Sequence, residues 1–348
     1  MTTFAHARVL VTGGAGFVGS NLVRRLLDEG VSGVHVVDNL LSAEKINVPV
    51  DPRATFTEAS ITDDGVLSSL KDEYDYVFHL STYHGNQSSI HDPLADHANN
   101  TVTTLKLYER IKNFRRLKKV VYSAAGCSVA EKTFDTAEAT EETDLVSLWM
   151  DSPYSMSKVF GEFYSTYYFK QHRLPTVRAR FQNVYGPGEI LGAGRWRGTP
   201  ATVWRNVTPT FIWKALQGEP LPLENEGIAT RDFIYVDDVT AGLACCALRG
   251  SPGEVYNLAS GRETSIRELA ERINDFTGNQ AGLRLLPKRA WDNSGKRYGS
   301  TAKAERDLDF RAAVDLSDGL RRTVEWTRSN ATFIRGVMQR HAAHLDAG

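Results

Sequence analysis

The sequence predicts an α/β fold, a doubly wound parallel sheet with a smaller, interleaved C-terminal α/β lobe. Three observations lead to this prediction. Short apolar runs alternate with segments of helical periodicity through the first half of the chain, the first run leads directly into a glycine-rich turn, and the alternation stops after residue 187. Strands that alternate with helices in this way form a parallel sheet covered by helices on both faces.

Five apolar runs have the length and composition of buried parallel strands. These runs are Arg8–Thr12, Val34–Asp38, Tyr76–Leu80, Lys119–Ser123 and Pro175–Arg180. Two intervening segments, 21–28 and 102–112, repeat apolar residues at helical spacing. The order strand, helix, strand indicates crossover connections and therefore parallel neighbours.

The first strand runs into Gly13, Gly16 and Gly19, which have the spacing G-x-x-G-x-x-G at the start of a helix. In such a loop the glycines permit a tight turn, the approach of backbone N–H groups to a pyrophosphate, and close packing of helix on strand. The second strand ends in Asp38, about 20 residues further on, where an acid holds the adenosine ribose. Because a carboxylate repels a 2′-phosphate, the pattern predicts a Rossmann-type site that prefers NAD to NADP.

The bulk composition excludes several classes of protein. The 348 residues are 41% hydrophobic and carry a formal net charge of −1, which gives no electrostatic field for nucleic acid. No apolar run of membrane-spanning length and no secretory signal is visible, so we expect neither a membrane protein nor a secreted one. Three cysteines cannot build a disulfide framework, and a reducing cytoplasm is expected. No metal site is predicted.

The sequence also predicts how the domains are arranged. Residues 1–187 form the NAD-binding domain, and residues 188–231 and 257–330 form a second, substrate-binding lobe. Residues 232–256 return to the first domain, and residues 331–348 form a C-terminal helix or tail.

Tyr154 and Lys158 stand four residues apart, one turn along the same face of a predicted helix. A nearby ammonium favours the phenolate form of a tyrosine. The phenolate can take a hydroxyl proton while a carbon-bound hydride leaves for a nicotinamide. The pair is therefore a candidate catalytic site.

With these residues in place, the chain resembles the extended short-chain dehydrogenase/reductases and, within them, the NAD-dependent nucleotide-sugar epimerase and dehydratase family. The resemblance covers nearly the whole chain. Besides the glycine loop and the Tyr154/Lys158 pair, it rests on Asn100 and on residues 77–80, 89–93, 183–187, 231–238 and 256–261. It implies an NAD that stays bound, oxidises a sugar carbon transiently and returns the hydride, and a C-terminal lobe that holds a nucleoside diphosphate.

The resemblance also implies roles for individual residues. Tyr154 is the base, and Lys158 is its electrostatic partner and a ligand of the nicotinamide ribose. The implied NAD-binding residues are Gly13, Gly16, Phe17, Val18, Asp38, Asn39, Ser60, Ile61, Leu80, Ser81, Asn100, Ser123, Tyr154 and Lys158. The implied residues for the sugar nucleotide are Ser89, Cys127, Ser128, Asn183, Arg231, Arg289 and Arg297, of which Arg289 and Arg297 are alternatives for one phosphate contact.

The chain departs from the family pattern after the fourth predicted strand. Relatives carry Ser or Thr where Ala125 stands, to hydrogen-bond the reacting sugar hydroxyl, and Ser123, Cys127 or Ser128 are candidates for a replacement donor. Dehydratases carry an Asp-Glu pair where Gly126 and Cys127 stand, which disfavours dehydration. A cysteine at this place is typical of GDP-mannose 3,5-epimerase-like enzymes, but the lysine that they add after residue 187 is absent.

The function predicted from the sequence is C4 epimerisation of a UDP-hexose or UDP-hexuronate through a transient 4-keto intermediate. Three alternatives stay open: a 3,5-epimerase or dehydratase-type enzyme, a net oxidoreductase that releases NADH, and a catalytically impaired NAD-binding relative. Apolar helical faces in residues 102–111 and 159–169 predict a homodimer.

Overall fold

The computed structural model describes residues 3–126, 134–289 and 295–345. The described strands are β1 (Arg8–Thr12), β2 (Gly33–Asp38), β3 (Ala54–Glu58), β4 (Tyr76–His79), β5 (Lys119–Ala125), β6 (Ala139–Thr140), β7 (Thr176–Phe181), β8 (Asn183–Tyr185), β9 (Leu221–Glu224), β10 (Thr230–Arg231), β11 (Phe233–Tyr235), β12 (Val255–Leu258), β13 (Thr264–Ser265), β14 (Leu283–Leu286) and β15 (Tyr298–Gly299). The described helices are α1 (Phe17–Asp28), α2 (Asp64–Ser69), α3 (Asn86–His91), α4 (Pro93–Asp96), α5 (Val102–Ile111), α6 (Pro153–His172), α7 (Val207–Leu216), α8 (Val236–Leu248), α9 (Ile266–Thr277), α10 (Ala302–Leu308), α11 (Leu316–Ser329), α12 (Ala331–Gln339) and α13 (Ala342–Leu345).

Seven of the described strands form one wholly parallel sheet in the order β12-β7-β5-β4-β1-β2-β3. All five strands predicted from the sequence lie in it, and β3 and β12 extend it at its two edges. The chain runs outward in both directions from the boundary between β1 and β4, which is the Rossmann arrangement. The predicted fold class is therefore confirmed, and ligands are expected at the carboxyl ends of the strands near that boundary.

The two faces of the sheet bury separate apolar cores. Val9 and Val11 of β1 pack on one face with α1 and α8, whereas Leu10 packs on the other face with α5 and α6. Alternate residues of a strand point to opposite faces, so one continuous apolar run can serve both cores. The sheet is thus doubly wound.

A second lobe is built around α7, α9, α11 and the parallel pair β9–β14. β8 pairs with β11 outside the main sheet, and the chain then returns through α8 and β12 to the main sheet. Residues 236–258 therefore pack on the first domain, while the domain boundaries drawn from the sequence stay a prediction. Within the described residues, no helix combines the length and apolar character needed to cross a bilayer.

Candidate active site

A cleft of about 670 Å³ opens at the carboxyl ends of the sheet strands. Its walls combine residues that follow β1, β2, β4 and β5 with residues of the second lobe, such as Phe211 and Arg231. This is the position that a doubly wound sheet with an added lobe offers to a ligand.

The glycine loop forms the floor of the cleft because side chains do not fit there. Gly13 has φ +75°, and a Cβ on it would lie 2.6 Å from the backbone N of Ser81. A Cβ on Gly19 would lie 2.2 Å from the carbonyl oxygen of Gly13. The first turn of α1 contains no acidic residue, and Phe17 and Val18 line the cleft there. Unpaired N–H groups at such a helix end suit a phosphate.

Asp38 ends β2 and lines the cleft beside this loop. Its Oδ2 accepts a hydrogen bond from the Ala15 N–H (3.0 Å), and its Oδ1 accepts one from the Leu40 N–H (2.8 Å). Burial raises the pKa of Asp38, and these backbone donors oppose the rise. The carboxyl group is therefore fixed at the edge of the cleft.

Tyr154 lies in the first turn of α6, where the Ser89 hydroxyl accepts a hydrogen bond from its backbone N–H (3.1 Å). The buried Lys158 donates from Nζ to the Ser123 carbonyl oxygen (3.0 Å), and its Nζ lies 5.8 Å from the centre of the Tyr154 ring. The fixed ammonium therefore stands beside the phenol, as the sequence spacing predicts.

His84, which sequence reasoning missed, lies beside Tyr154. The two ring centroids are 6.0 Å apart, and the rings meet edge to face. Burial, reinforced by the positive charges of Arg205, Arg197 and Lys158, lowers the pKa of His84 to about 3. Its imidazole is therefore neutral at physiological pH, and Nδ1 is buried with no hydrogen-bond partner among the described residues.

Three guanidinium groups line the opposite wall, which the second lobe contributes. Arg231 donates from Nη1 to the carbonyl oxygens of Thr230 (2.6 Å) and Gly295 (2.8 Å). Arg289 forms an ion pair with Glu224 (2.5 Å), and Arg297 also lines the cleft. Guanidinium forks of this kind match the oxygens of a diphosphate.

The comparisons with known proteins agree with this geometry. A family model described as the NAD dependent epimerase/dehydratase family matches residues 9–259. The chain belongs to this family. It is similar to the Bordetella bronchiseptica enzyme WbmF, whose crystal structure contains NAD+ and UDP, with 68% identity, 99% of each chain covered and a TM-score of 0.91.

Two curated relatives of this epimerase/dehydratase are more distant. A UDP-glucose 4-epimerase of Mycolicibacterium smegmatis is 32% identical over 331 residues, which cover 93% of this chain and 99% of the relative. A dTDP-glucose 4,6-dehydratase of Streptomyces antibioticus is 30% identical over 344 residues, which cover 96% of both chains. Epimerases and dehydratases thus match at similar levels, and the site has to separate the two reactions.

The structure brings most of the predicted site residues into the one cleft. Those that line it are Gly13, Gly16, Phe17, Val18, Asp38, Asn39, Ser60, Ile61, Leu80, Ser81, Ser123, Tyr154, Lys158, Asn183, Arg231, Arg289 and Arg297. Because Arg289 and Arg297 both line it, the choice between them stays open. Cys127 and Ser128 lie outside the described residues.

Ser89 and Asn100 are buried and do not line the cleft, so the structure does not bring them together with the other predicted site residues, and their direct contact with a ligand stays a prediction. The Ser89 hydroxyl is bonded to the start of α6, as described above. Asn100, in the π-helical segment His97–Thr101, accepts from the Tyr83 N–H (2.6 Å) and donates to the Ser157 hydroxyl (3.0 Å). Both residues therefore support the helix that carries Tyr154.

Ala125, at the end of β5, presents only a methyl group to the cleft. Ser123 lines the cleft, but its hydroxyl donates to the His79 carbonyl oxygen within the sheet (3.0 Å), and its role as a replacement donor stays a prediction. A different residue reaches this wall. The Gln182 side chain lines the cleft and occupies the space beside Gly126, where a Cβ would lie 2.2 Å from Gln182 Nε2.

Proposed function

We propose that this epimerase/dehydratase family member is an NAD-dependent C4 epimerase of a UDP-hexose or UDP-hexuronate. One observation carries the proposal: a tyrosine with a fixed lysine faces the same cleft as the glycine loop and the three second-lobe arginines. A base, a dinucleotide site and a diphosphate site therefore converge. The choice of UDP as the nucleotide of the substrate is supported by the UDP in the WbmF crystal structure.

The described residues fit NAD. The cradle at Gly13 and Gly19 would be filled by a Cβ, the N-terminus of α1 suits the pyrophosphate, and Asp38 suits the adenosine ribose. Bound NAD would supply the hydride acceptor and donor for reversible oxidation at C4 of the sugar.

The protein's own residues then move the proton and hold the nucleotide. Tyr154 takes the proton of the sugar 4-hydroxyl as the carbon is oxidised and gives it back on reduction. Lys158 stabilises the phenolate, and the Ser123 carbonyl keeps the ammonium in place. Arg231 and its neighbours hold the diphosphate, so that the sugar ring can turn over between the two half-reactions while the nucleotide stays bound.

Gln182 supplies the hydrogen bond that Ala125 cannot make. Its amide can donate to a sugar hydroxyl or to a carbonyl oxygen, whereas the Ala125 methyl can do neither. A positioned hydrogen bond of this kind contributes about 0.5–1.5 kcal/mol. We therefore expect Gln182→Leu to lower kcat about 2- to 10-fold.

A second candidate function, epimerisation at C3 or C5, is favoured by His84. A neutral imidazole beside Tyr154 can remove a proton from the carbon next to a 4-keto group, C3 or C5. Epimerisation at C4 does not require this proton removal. Dehydration has less support, because Gly126 offers no carboxyl group at the place where dehydratases carry an acid.

The deciding experiment follows UDP-hexoses and UDP-hexuronates by NMR in D₂O. We expect inversion at C4 without deuterium at C3 or C5, a loss of about 10²- to 10⁴-fold in kcat for Tyr154→Phe, and unchanged binding of NAD and UDP. Ala125→Ser should preserve or raise turnover. Unchanged activity of Tyr154→Phe would overturn the role of Tyr154. Deuterium at C3 or C5 that disappears in His84→Phe or Cys127→Ser would replace C4 chemistry with the second candidate.

We also propose a homodimer in the cytoplasm. An exposed apolar stripe runs along α6 and consists of Met156, Phe160, Phe163 and Tyr167. In a soluble protein an apolar stripe of this kind is normally covered by a packing partner. Sedimentation at micromolar concentration should give a dimer, Phe163→Glu should give a monomer, and Leu285→Glu, at an equally exposed position, should leave the dimer intact. A wild-type monomer would contradict the proposal. The free thiols Cys245 and Cys246 suit a reducing compartment.

A further inference from the structure

The segment of residues 188–206, here called the roof segment, joins β8 to α7 and contacts the loop that follows β2. Two of its arginines hold that loop. Arg197 donates from Nη1 to the Ser42 hydroxyl (3.0 Å) and to the His84 carbonyl oxygen (2.9 Å), and Arg205 donates from Nη1 to the Ser42 carbonyl oxygen (2.9 Å). The roof segment thus spans the cleft between the ribose end at Asp38 and the catalytic end at Tyr154.

Both arginines have N–H donors for which no described residue supplies a hydrogen-bond acceptor. Arg197 is 5% exposed, and its buried Nε and Nη2 have no hydrogen-bond partner within the described ranges. Arg205 lines the cleft, and its buried Nε is likewise without a described partner. A buried donor of a charged group costs free energy when its hydrogen bond is not made, so such donors point to a ligand that accepts from them.

The charge around these donors is poorly balanced. Burial and the neighbouring Arg197 lower the pKa of Arg205 to about 9. Burial raises the pKa of Glu189, a cleft-lining acid whose charge acts on Arg205, to about 7, so it neutralises only part of the charge at neutral pH. Glu44 is already bound to the Gly194 N–H and to Arg340. Two buried guanidinium groups therefore lack a full counter-charge, which an anionic ligand would supply.

The position of the roof segment indicates which anion. Asn21, in the second turn of α1, donates from Nδ2 to the Pro187 carbonyl oxygen (3.2 Å), and a Cβ on Gly188 would lie 3.9 Å from the Phe17 ring. The roof segment therefore begins against the glycine-loop end of α1. We propose that Arg205, backed by Arg197, forms a second anion site that binds the diphosphate of the dinucleotide opposite the N-terminus of α1.

The roof segment is fixed on both sides, so the site is preformed. On the inner side, Gly194 has φ +86°, and a Cβ on it would lie 2.3 Å from the Leu41 carbonyl oxygen. On the outer side, the Gly192 carbonyl oxygen is hydrogen-bonded to His341 (2.8 Å), and Trp196 stacks on His344 with ring centroids 4.7 Å apart. A dinucleotide held between α1 and Arg205 leaves only when this segment moves, which implies slow release.

The test measures binding and not turnover, since the inference rests on the proposed dinucleotide site but not on the reaction. In Arg205→Met, which keeps most of the side-chain volume, we expect the Kd for NAD+ and for ADP-ribose to rise about 10- to 100-fold and NAD to be lost during gel filtration. The Kd for adenosine, which has no phosphate, should not change. Arg205→Lys should recover part of the loss, and Arg195→Met, an exposed arginine of the same segment, should match the wild type.

The source of the anion is decided by a second titration. If Arg205→Met weakens UDP or UDP-hexuronate binding and leaves NAD+ unchanged, the site belongs to the substrate and the proposal is overturned. Unchanged binding of all these ligands by a folded Arg205→Met protein also overturns it. If Arg205→Met does not fold, Arg205→Lys and the salt dependence of its NAD+ affinity carry the same test. A protein that binds NAD+ through Arg205 but epimerises no nucleotide sugar would refute only the proposed function.

Discussion

Gly19 tests whether the contact between α1 and the glycine loop decides cofactor binding. Its backbone is helical, so alanine brings no conformational strain there, and the cost of Gly19→Ala arises from packing alone. The new Cβ would lie 2.2 Å from the Gly13 carbonyl oxygen and 2.7 Å from the Gly14 Cα, and both of these are backbone atoms that no side-chain rotation can move away. The helix must therefore shift from the loop.

The expected magnitude follows from the size of this overlap. Overpacking of a well-filled region by one methyl group costs about 1–3 kcal/mol of the free energy of unfolding. Because the shift also moves the N–H groups that face the phosphate, we expect the Kd for NAD+ to rise at least about 10-fold, the equivalent of 1.4 kcal/mol. Urea unfolding and calorimetric titration with NAD+ measure the two effects separately.

Gly33→Ala is the matched control for this substitution. Gly33 begins β2 in the same sheet, and a Cβ on it would lie 3.8 Å from its nearest neighbour, the Arg53 carbonyl oxygen. Its free energy of unfolding should stay within about 0.5 kcal/mol of the wild type. If Gly19→Ala matches Gly33→Ala in both stability and NAD+ affinity, the argument from close approach is refuted.

Three further predictions concern buried charges. Because of the Asp38 carboxylate, NAD+ should bind about 100-fold more tightly than NADP+ by calorimetry, and Asp38→Asn should reduce this difference in affinity. Equal affinities of the wild type for NAD+ and NADP+ would refute the role of Asp38 at the adenosine ribose. Burial raises the pKa of Glu189 from 4.5 to about 7, so the folded protein binds this proton more tightly than the unfolded chain. The stabilisation that Glu189 adds to the free energy of unfolding is fully present below pH 4.5 and is lost as pH rises towards 7, by at most about 3 kcal/mol. Glu189→Gln should flatten this part of the pH profile of urea unfolding. Arg180 donates from Nε and Nη2 to both oxygens of the buried Glu162 (2.9 Å each), so Arg180→Met should cost about 3–5 kcal/mol in the same assay, and adding Glu162→Leu should restore most of it.

Sequence reasoning found those parts of the site whose residues lie close together along the chain. The glycine loop and the Tyr154/Lys158 pair each lie within one turn or one helix, so a short pattern carries them. β3 was not predicted because its residues are only partly buried and alternate with polar ones at the edge of the sheet. A motif gives the position of Ser89 but not the direction of its hydroxyl, which in the structure accepts a hydrogen bond from the Tyr154 N–H.

His84, Gln182 and Arg205 were missed because their roles arise from tertiary contacts. His84 follows β4 by five residues, and the rule that ligands bind at the carboxyl ends of such strands was the one signal that could have found it. The side chain of Gln182 reaches the wall near Ala125 only because Gly126 and Gly299 leave room for it. Arg205 meets the loop after β2 from more than 160 residues away along the chain.

The return of the chain to the main sheet after its excursion into the second lobe bears on how this protein folds. β7 ends at Phe181, but its outer neighbour β12 begins only at Val255, and α10 packs on the same core after a second excursion. During synthesis the edge of the sheet therefore stays open until the more than 70 residues that separate β7 from β12 have emerged, and these include the first excursion into the other lobe. Each lobe is built from segments that the other lobe separates along the chain. We therefore expect the two to unfold in one cooperative transition, so that a single proteolytic cut between them releases no folded fragment.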